Sequence, residues 1–141
     1  MGWQAFAVIS ALAAGATAVF AKAGLEEVPA HLGNAVRTAF VLALVLAVLW
    51  FSGEHQQAGS LTKRAWLFLL LSAVGTAVSW VAYFKALSLG SATNVTAIDK
   101  ASLAVTMLLS AMLLGERFNW SSSLGVVLIV AGALLASAQP K

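Results

Sequence analysis

The chain has 141 residues, 61% of them apolar and only 9% charged, with a formal net charge of +3 and a mean hydropathy of +0.93. A soluble domain of this size leaves about a third of its unfolded surface exposed and could not hide so much apolar area, whereas disorder requires far fewer apolar residues. The sequence pI of 9.7 comes from scattered bases rather than a nucleic-acid-binding patch, so the composition is that of an integral membrane protein.

A helix needs about 20 mostly apolar residues to cross about 30 Å of hydrocarbon. The first span covers residues 3–22 and is free of charge up to Lys22. No base precedes it and no small-residue cleavage site follows, so it reads as a retained span rather than a signal peptide. Ala7, Ala11, Gly15 and Ala18 form a small-residue seam along it. The second span, residues 34–51, is entered through Arg37 and closed by Ser52-Gly53-Glu54. A guanidinium one turn inside a span either snorkels to the headgroups or makes bidentate bonds to an anionic group of a solute.

The polar segment 54–64 is the longest expected loop, and the third span follows at 65–84, closed by Lys85. Ser72, Thr76, Ser79 and Tyr83 recur along it at steps of four, three and four, with Trp80 beside them. These hydroxyls suit either a cavity wall or ordinary interhelical bonding, worth about 0.6 kcal/mol apiece. Trp80 and Tyr83 suit a ligand surface or the interfacial aromatic belt.

The fourth span, residues 92–114, contains Asp99-Lys100. Taken as one helix, it puts Asp99 about 10 Å in at about 1.5 Å per residue. Thr96, Asp99, Ser102, Thr106 and Ser110 then share a sector of roughly 120°, with Lys100 to one side. Intramembrane charge costs about 2.5–3.5 kcal/mol at a helix centre and points to ion or substrate chemistry; a structural ion pair is the alternative. The fifth span, residues 121–138, carries Ser121, Gly125, Gly132 and Ala136 along one seam, with Pro140 and Lys141 beyond it. Small residues let helices approach closely in lipid, which makes this seam the expected dimer contact.

The fold class that follows is all-α, a polytopic bundle of five transmembrane helices, because lipid admits only helices or closed barrels and strand-like alternation is missing. An odd number of spans separates the termini. Lys63, Arg64 and Arg117 then share the N-terminal side, against Lys22, Arg37, Lys85 and Lys141, a balance that fixes no orientation. Insertion both ways round, giving an antiparallel homodimer on an inverted-repeat plan, and a single orientation set by Lys63-Arg64 both remain open. His31 and His55 fall in different expected loops, so no metal is expected. No nucleophile–base pair or phosphate loop is present, and neither an enzyme nor a cofactor is expected.

The run Lys85-Ala-Leu-Ser-Leu-Gly-Ser-Ala-Thr-Asn-Val-Thr-Ala-Ile-Asp-Lys-Ala-Ser, then Leu-Leu-Gly-Glu-Arg at 113–117 and Gly-Val-Val-Leu-Ile-Val-Ala-Gly at 125–132, resembles the EamA domain of the drug/metabolite transporter superfamily. Trp3, Lys22 and Arg37 fit the same pattern, so the resemblance covers essentially the whole chain. Most relatives carry two such domains with inverted halves; this chain has one and looks like the short five-span prokaryotic branch. The resemblance implies a transporter completed by dimerisation, one half of an inverted-repeat plan, with a cavity lined by the first four helices and dimer contacts through the fifth. The last three spans also resemble the small multidrug resistance family. There a first-span glutamate eight residues before a lysine couples protons, but Ala14 stands at that distance from Lys22, and Asp99 aligns with a tryptophan of those proteins.

The expected function is secondary-active transport or export of a small metabolite or a cationic or amphipathic solute across a prokaryotic inner membrane. The expected binding residues are Asp99, Lys100, Thr96, Ser102, Trp80, Tyr83, Ser79 and Arg37, with Asp99 as the proton-coupling group. The alternatives are a non-transporting membrane subunit and a component of a lipid or lipid-linked sugar flippase. The partners expected are a small solute, the bilayer and a second copy of the chain.

Overall fold

The computed structural model describes residues 2–138; Pro140 and Lys141, placed beyond the last span on sequence grounds, lie outside the described residues. The described residues form helices without strands: α1 (Trp3–Gly24), α2 (Ala30–Ser52), α3 (Lys63–Leu89), α4 (Ala92–Asp99), α5 (Ser102–Leu114) and α6 (Trp120–Ser137), plus a 3-10 segment over Glu54–Ser60. Five stretches are long and apolar enough to cross a bilayer, α4 and α5 together making the fourth, and each is at most 6% buried within the chain. The apolar side chains therefore face lipid or another protein rather than a core of their own.

Some of the helices start where a side chain satisfies a free N–H group, although α2 and α5 have no such cap. Ser91 Oγ accepts from the Asn94 N–H at 3.2 Å to start α4, and Asn119 Oδ1 accepts from the Ser122 N–H at 2.8 Å to start α6. They end at glycines where a left-handed residue is needed. Gly53 (φ +75°) stops α2 and Gly115 (φ +68°) stops α5, conformations that side chains with a Cβ disfavour. The Glu116 N–H then turns back to the Ser110 carbonyl at 3.3 Å, which gives the Gly115-Glu116 pair its local purpose.

Among the described residues, 2–22 with 89–138, and 23–88, form two packing units. In the first, α6 packs along α4 and α5, with Val126, Val130, Ala133 and Ser137 on its covered face and Ala133 only 6% exposed. Gly15 and Ala18 of α1 border an open cleft of about 300 Å³ beside α4. In the second unit, α2 begins at Ala30 behind Pro29 (φ −59°), earlier than the expected Asn34. The fixed proline φ suits a helix start, and Gly33 leaves room for Leu25 and Val28 against the first turn. His31 is consequently a helical residue of α2, not a loop residue. Together with α3 residues Ala77, Val78, Val81, Ala82 and Lys85 it borders an open groove of about 510 Å³. His55 lies in the 3-10 segment, stacked on Trp50 with ring centroids 4.6 Å apart.

The fourth span is not one helix. It breaks after Asp99, with Lys100 (ψ −15°) and Ala101 (ψ −18°) in a tight turn. The bonds there run three residues back: Lys100 N–H to Ala97 O at 3.1 Å, Ala101 N–H to Ile98 O at 2.9 Å, Leu103 N–H to Lys100 O and Ala104 N–H to Ala101 O at 3.1 Å. This is 3-10 geometry, with three residues per turn. Tightening at the ion pair brings residues three apart into line, so Asp99 and Ser102 align and the polar stripe narrows from roughly 120° to roughly 80°.

Candidate functional site

Asp99 ends α4 at this break. Its carboxylate is 3.9 Å from Lys100 Nζ, with the two side chains 39% and 50% exposed respectively. That distance is at the outer edge of an ion pair, because consecutive residues on a helical turn diverge by about 100–120°. Lys100 also lines the α1 cleft, together with Thr96 and Gly15. Asp99 is thus neither sealed by its neighbour nor buried.

The hydroxyls C-terminal to the break are already engaged. Thr106 Oγ1 donates to the Ser102 carbonyl at 3.1 Å, and Ser110 Oγ donates to the Met107 carbonyl at 3.2 Å. Their lone pairs remain able to accept, while their protons stabilise their own helix. Ser102 itself is exposed.

The second unit holds the other intramembrane charge. Arg37 does not snorkel outward: its guanidinium lies 4.5 Å from the centroid of the Trp80 ring and 5.6 Å from that of Phe84. Phe84 is 3% exposed and meets Tyr83 edge-on at 6.4 Å. An arginine over aromatic faces gains about 0.5 kcal/mol when exposed and about 2 when desolvated. Arg37 Nη1 is buried without a hydrogen-bond partner among the described residues, and so is Asn34 Oδ1, one turn earlier on the same face of α2. Ser79, on the neighbouring face of α3, is exposed.

The sequence profile of the EamA-like transporter family matches residues 1–138. The chain belongs to that family. A Sinorhizobium protein named "uncharacterized transporter in cobO 3'region" is 41% identical over 133 residues, 94% of each chain. No solved structure matches the chain significantly. Family and architecture together make the protein an integral membrane transporter.

Within this EamA-like chain the expected dimer seam on α6 is only partly free. Ser121 Oγ donates to Asn119 Oδ1 at 2.8 Å and so belongs to the helix cap. Gly125 and Gly132, by contrast, have nothing within 4 Å of where a Cβ would lie. At about 100° per residue they stand roughly 120° from the line of Val126, Val130 and Ala133 that packs inside the chain.

Sequence reasoning missed Asn34 and Phe84. Both were findable: Asn34 precedes Arg37 by three residues and Phe84 follows Trp80 by four, the two spacings that place side chains together on a helix.

Proposed function

We propose that this EamA-like protein is a secondary-active transporter, most simply an exporter, of a small metabolite or amphipathic solute in a prokaryotic inner membrane. Two copies act together, and Asp99 takes up and releases the coupling proton or the cationic part of the cargo as access alternates. The observation that carries this reading is the position of Asp99. It stands at the 3-10 turn between α4 and α5 inside an apolar span, and its carboxylate is 3.9 Å from the ammonium of a lysine that also lines the α1 cleft. Discontinuous helices whose ends face ions and substrates near mid-membrane are a recurrent transporter device. The open glycine seam of α6 supports a second copy as the missing packing partner. The near balance of bases between the two sides supports an antiparallel arrangement.

The test is flux in reconstituted vesicles under an imposed pH gradient, read with an internal pH-sensitive dye against a panel of small metabolites and amphipathic amines. Asp99→Asn is expected to reduce proton-driven flux at least tenfold while preserving folding. Lys100→Ala is expected to reduce flux less than Asp99→Asn does, because the two side chains are only loosely paired at 3.9 Å. Unchanged flux and coupling in both variants removes the mechanism.

A further inference from the structure

Among the described residues, three buried polar atoms lack a hydrogen-bond partner: His55 Nδ1 in the 3-10 segment and, together on α2, Arg37 Nη1 and Asn34 Oδ1. A buried, unmatched polar group costs about 1–3 kcal/mol, more when charged. A protein that keeps two on adjacent turns needs a compensating role for them. A headgroup-seeking arginine would extend its flexible stem outward. This one instead lies over the rings of Trp80 and Phe84, 4.5 and 5.6 Å from their centroids, which holds the guanidinium beside α3. Asn34 adds an acceptor one turn earlier on the same helix face.

We infer that Arg37 and Asn34, backed by Trp80 and Phe84, form an oxyanion-binding subsite. Arg37 Nη1 donates to a carboxylate or phosphate oxygen, and Asn34 Oδ1 accepts from a hydroxyl or ammonium group next to that oxyanion. The donor–acceptor pairing selects a hydroxy-acid-like fragment over a plain acid, and it disfavours a simple amine because the guanidinium repels it. As a statement about cargo, the inference deepens the transport reading and rests on it; as a statement about binding, it is measured without transport.

The probe set is butyrate, 2-hydroxybutyrate and butylammonium, titrated into the full-length protein in phosphatidylcholine nanodiscs. Tryptophan fluorescence and thermal stabilisation are the readouts. The wild type is expected to bind 2-hydroxybutyrate several-fold more tightly than butyrate and to ignore butylammonium. Arg37→Gln should weaken both acids at least tenfold, with Arg37→Lys intermediate because it retains charge without the flat fork. Asn34→Leu should abolish the preference for the hydroxy acid while leaving butyrate affinity within about twofold, a readout that holds even where Arg37→Gln fails to fold. Trp80→Phe should suppress the fluorescence response and preserve stabilisation. Phosphatidylglycerol in the nanodisc that competes with 2-hydroxybutyrate identifies a lipid headgroup as the oxyanion; lack of competition identifies a soluble one.

Acid affinity unaltered in Arg37→Gln, or equal binding of butylammonium, overturns the subsite. Flux lost in Asp99→Asn but intact in Arg37→Gln, with acid affinity intact as well, overturns the subsite alone. Acid binding as described, without flux of any solute in the wild type, overturns transport alone.

Discussion

Arg37 and Asp99 each lie seven residues inside the start of an apolar span, Ala30–Ser52 and Ala92–Leu114, yet the chain treats them in opposite ways. The cation lies over two aromatic rings from α3, 4.5 and 5.6 Å from their centroids. The anion has one loose neighbour and 39% of its side chain uncovered. Both residues face the same insertion penalty, about 2.5–3.5 kcal/mol at a helix centre. For Arg37 the aromatic rings offset part of it, at about 0.5–2 kcal/mol per close contact. For Asp99 the described residues supply little. A charge stabilised inside one chain is suited to fixed recognition. A charge left unsettled is suited to changing its partner or its protonation state, and to being completed by a second copy.

The strongest test of this contrast removes the aromatic support. Trp80→Ala should lower stability by about 2–3 kcal/mol, combining lost packing with the lost cation–π contact, as measured by unfolding in mixed micelles. Trp3→Ala is the matched control, because Trp3 is 76% exposed, and it should change little. Equal losses at both positions mean that Trp80 acts as ordinary lipid-facing surface, and the contrast fails.

A second test separates the two charges by their dependence on a partner chain. Leucine at both Gly125 and Gly132 of α6 should leave the chain folded, since nothing lies within 4 Å of either Cβ position. Close approach of another helix would be blocked. Dimer affinity measured in detergent should drop at least tenfold, about 1.4 kcal/mol. Proton-driven flux should fall with it, while 2-hydroxybutyrate binding at Arg37 persists. Loss of acid binding along with the dimer would show that Arg37, too, is completed by the second copy.

The sequence made the five spans legible because apolar runs of about 20 residues admit few alternatives. Gly115-Glu116 was visible as part of a motif. The break at Lys100-Ala101 was not visible, because neither residue is a helix breaker and no proline or glycine marks it. Only the backbone shows the switch to bonds three residues back. Likewise, nothing in the composition of α2 says whether Arg37 reaches outward or folds inward. That choice is decided by two rings on α3, remote in sequence, which the periodicity of α2 does not reveal.

The smallest expected effect is the most discriminating for Asp99. A double-mutant cycle with Asp99→Asn and Lys100→Ala isolates the pair energy from the cost of each change. At 3.9 Å, with both side chains substantially exposed, the coupling should stay below about 1 kcal/mol. The parallel cycle with Arg37→Gln and Trp80→Leu should exceed it, toward the upper end of the cation–π range of about 0.5–2 kcal/mol. The ordering matters more than either value. If the Asp99–Lys100 coupling is the larger, the lysine already neutralises the carboxylate. Protonating Asp99 would then break a structural bond instead of loading a carrier, and the broken helix would be an ion-pair joint with no reason to bind a solute.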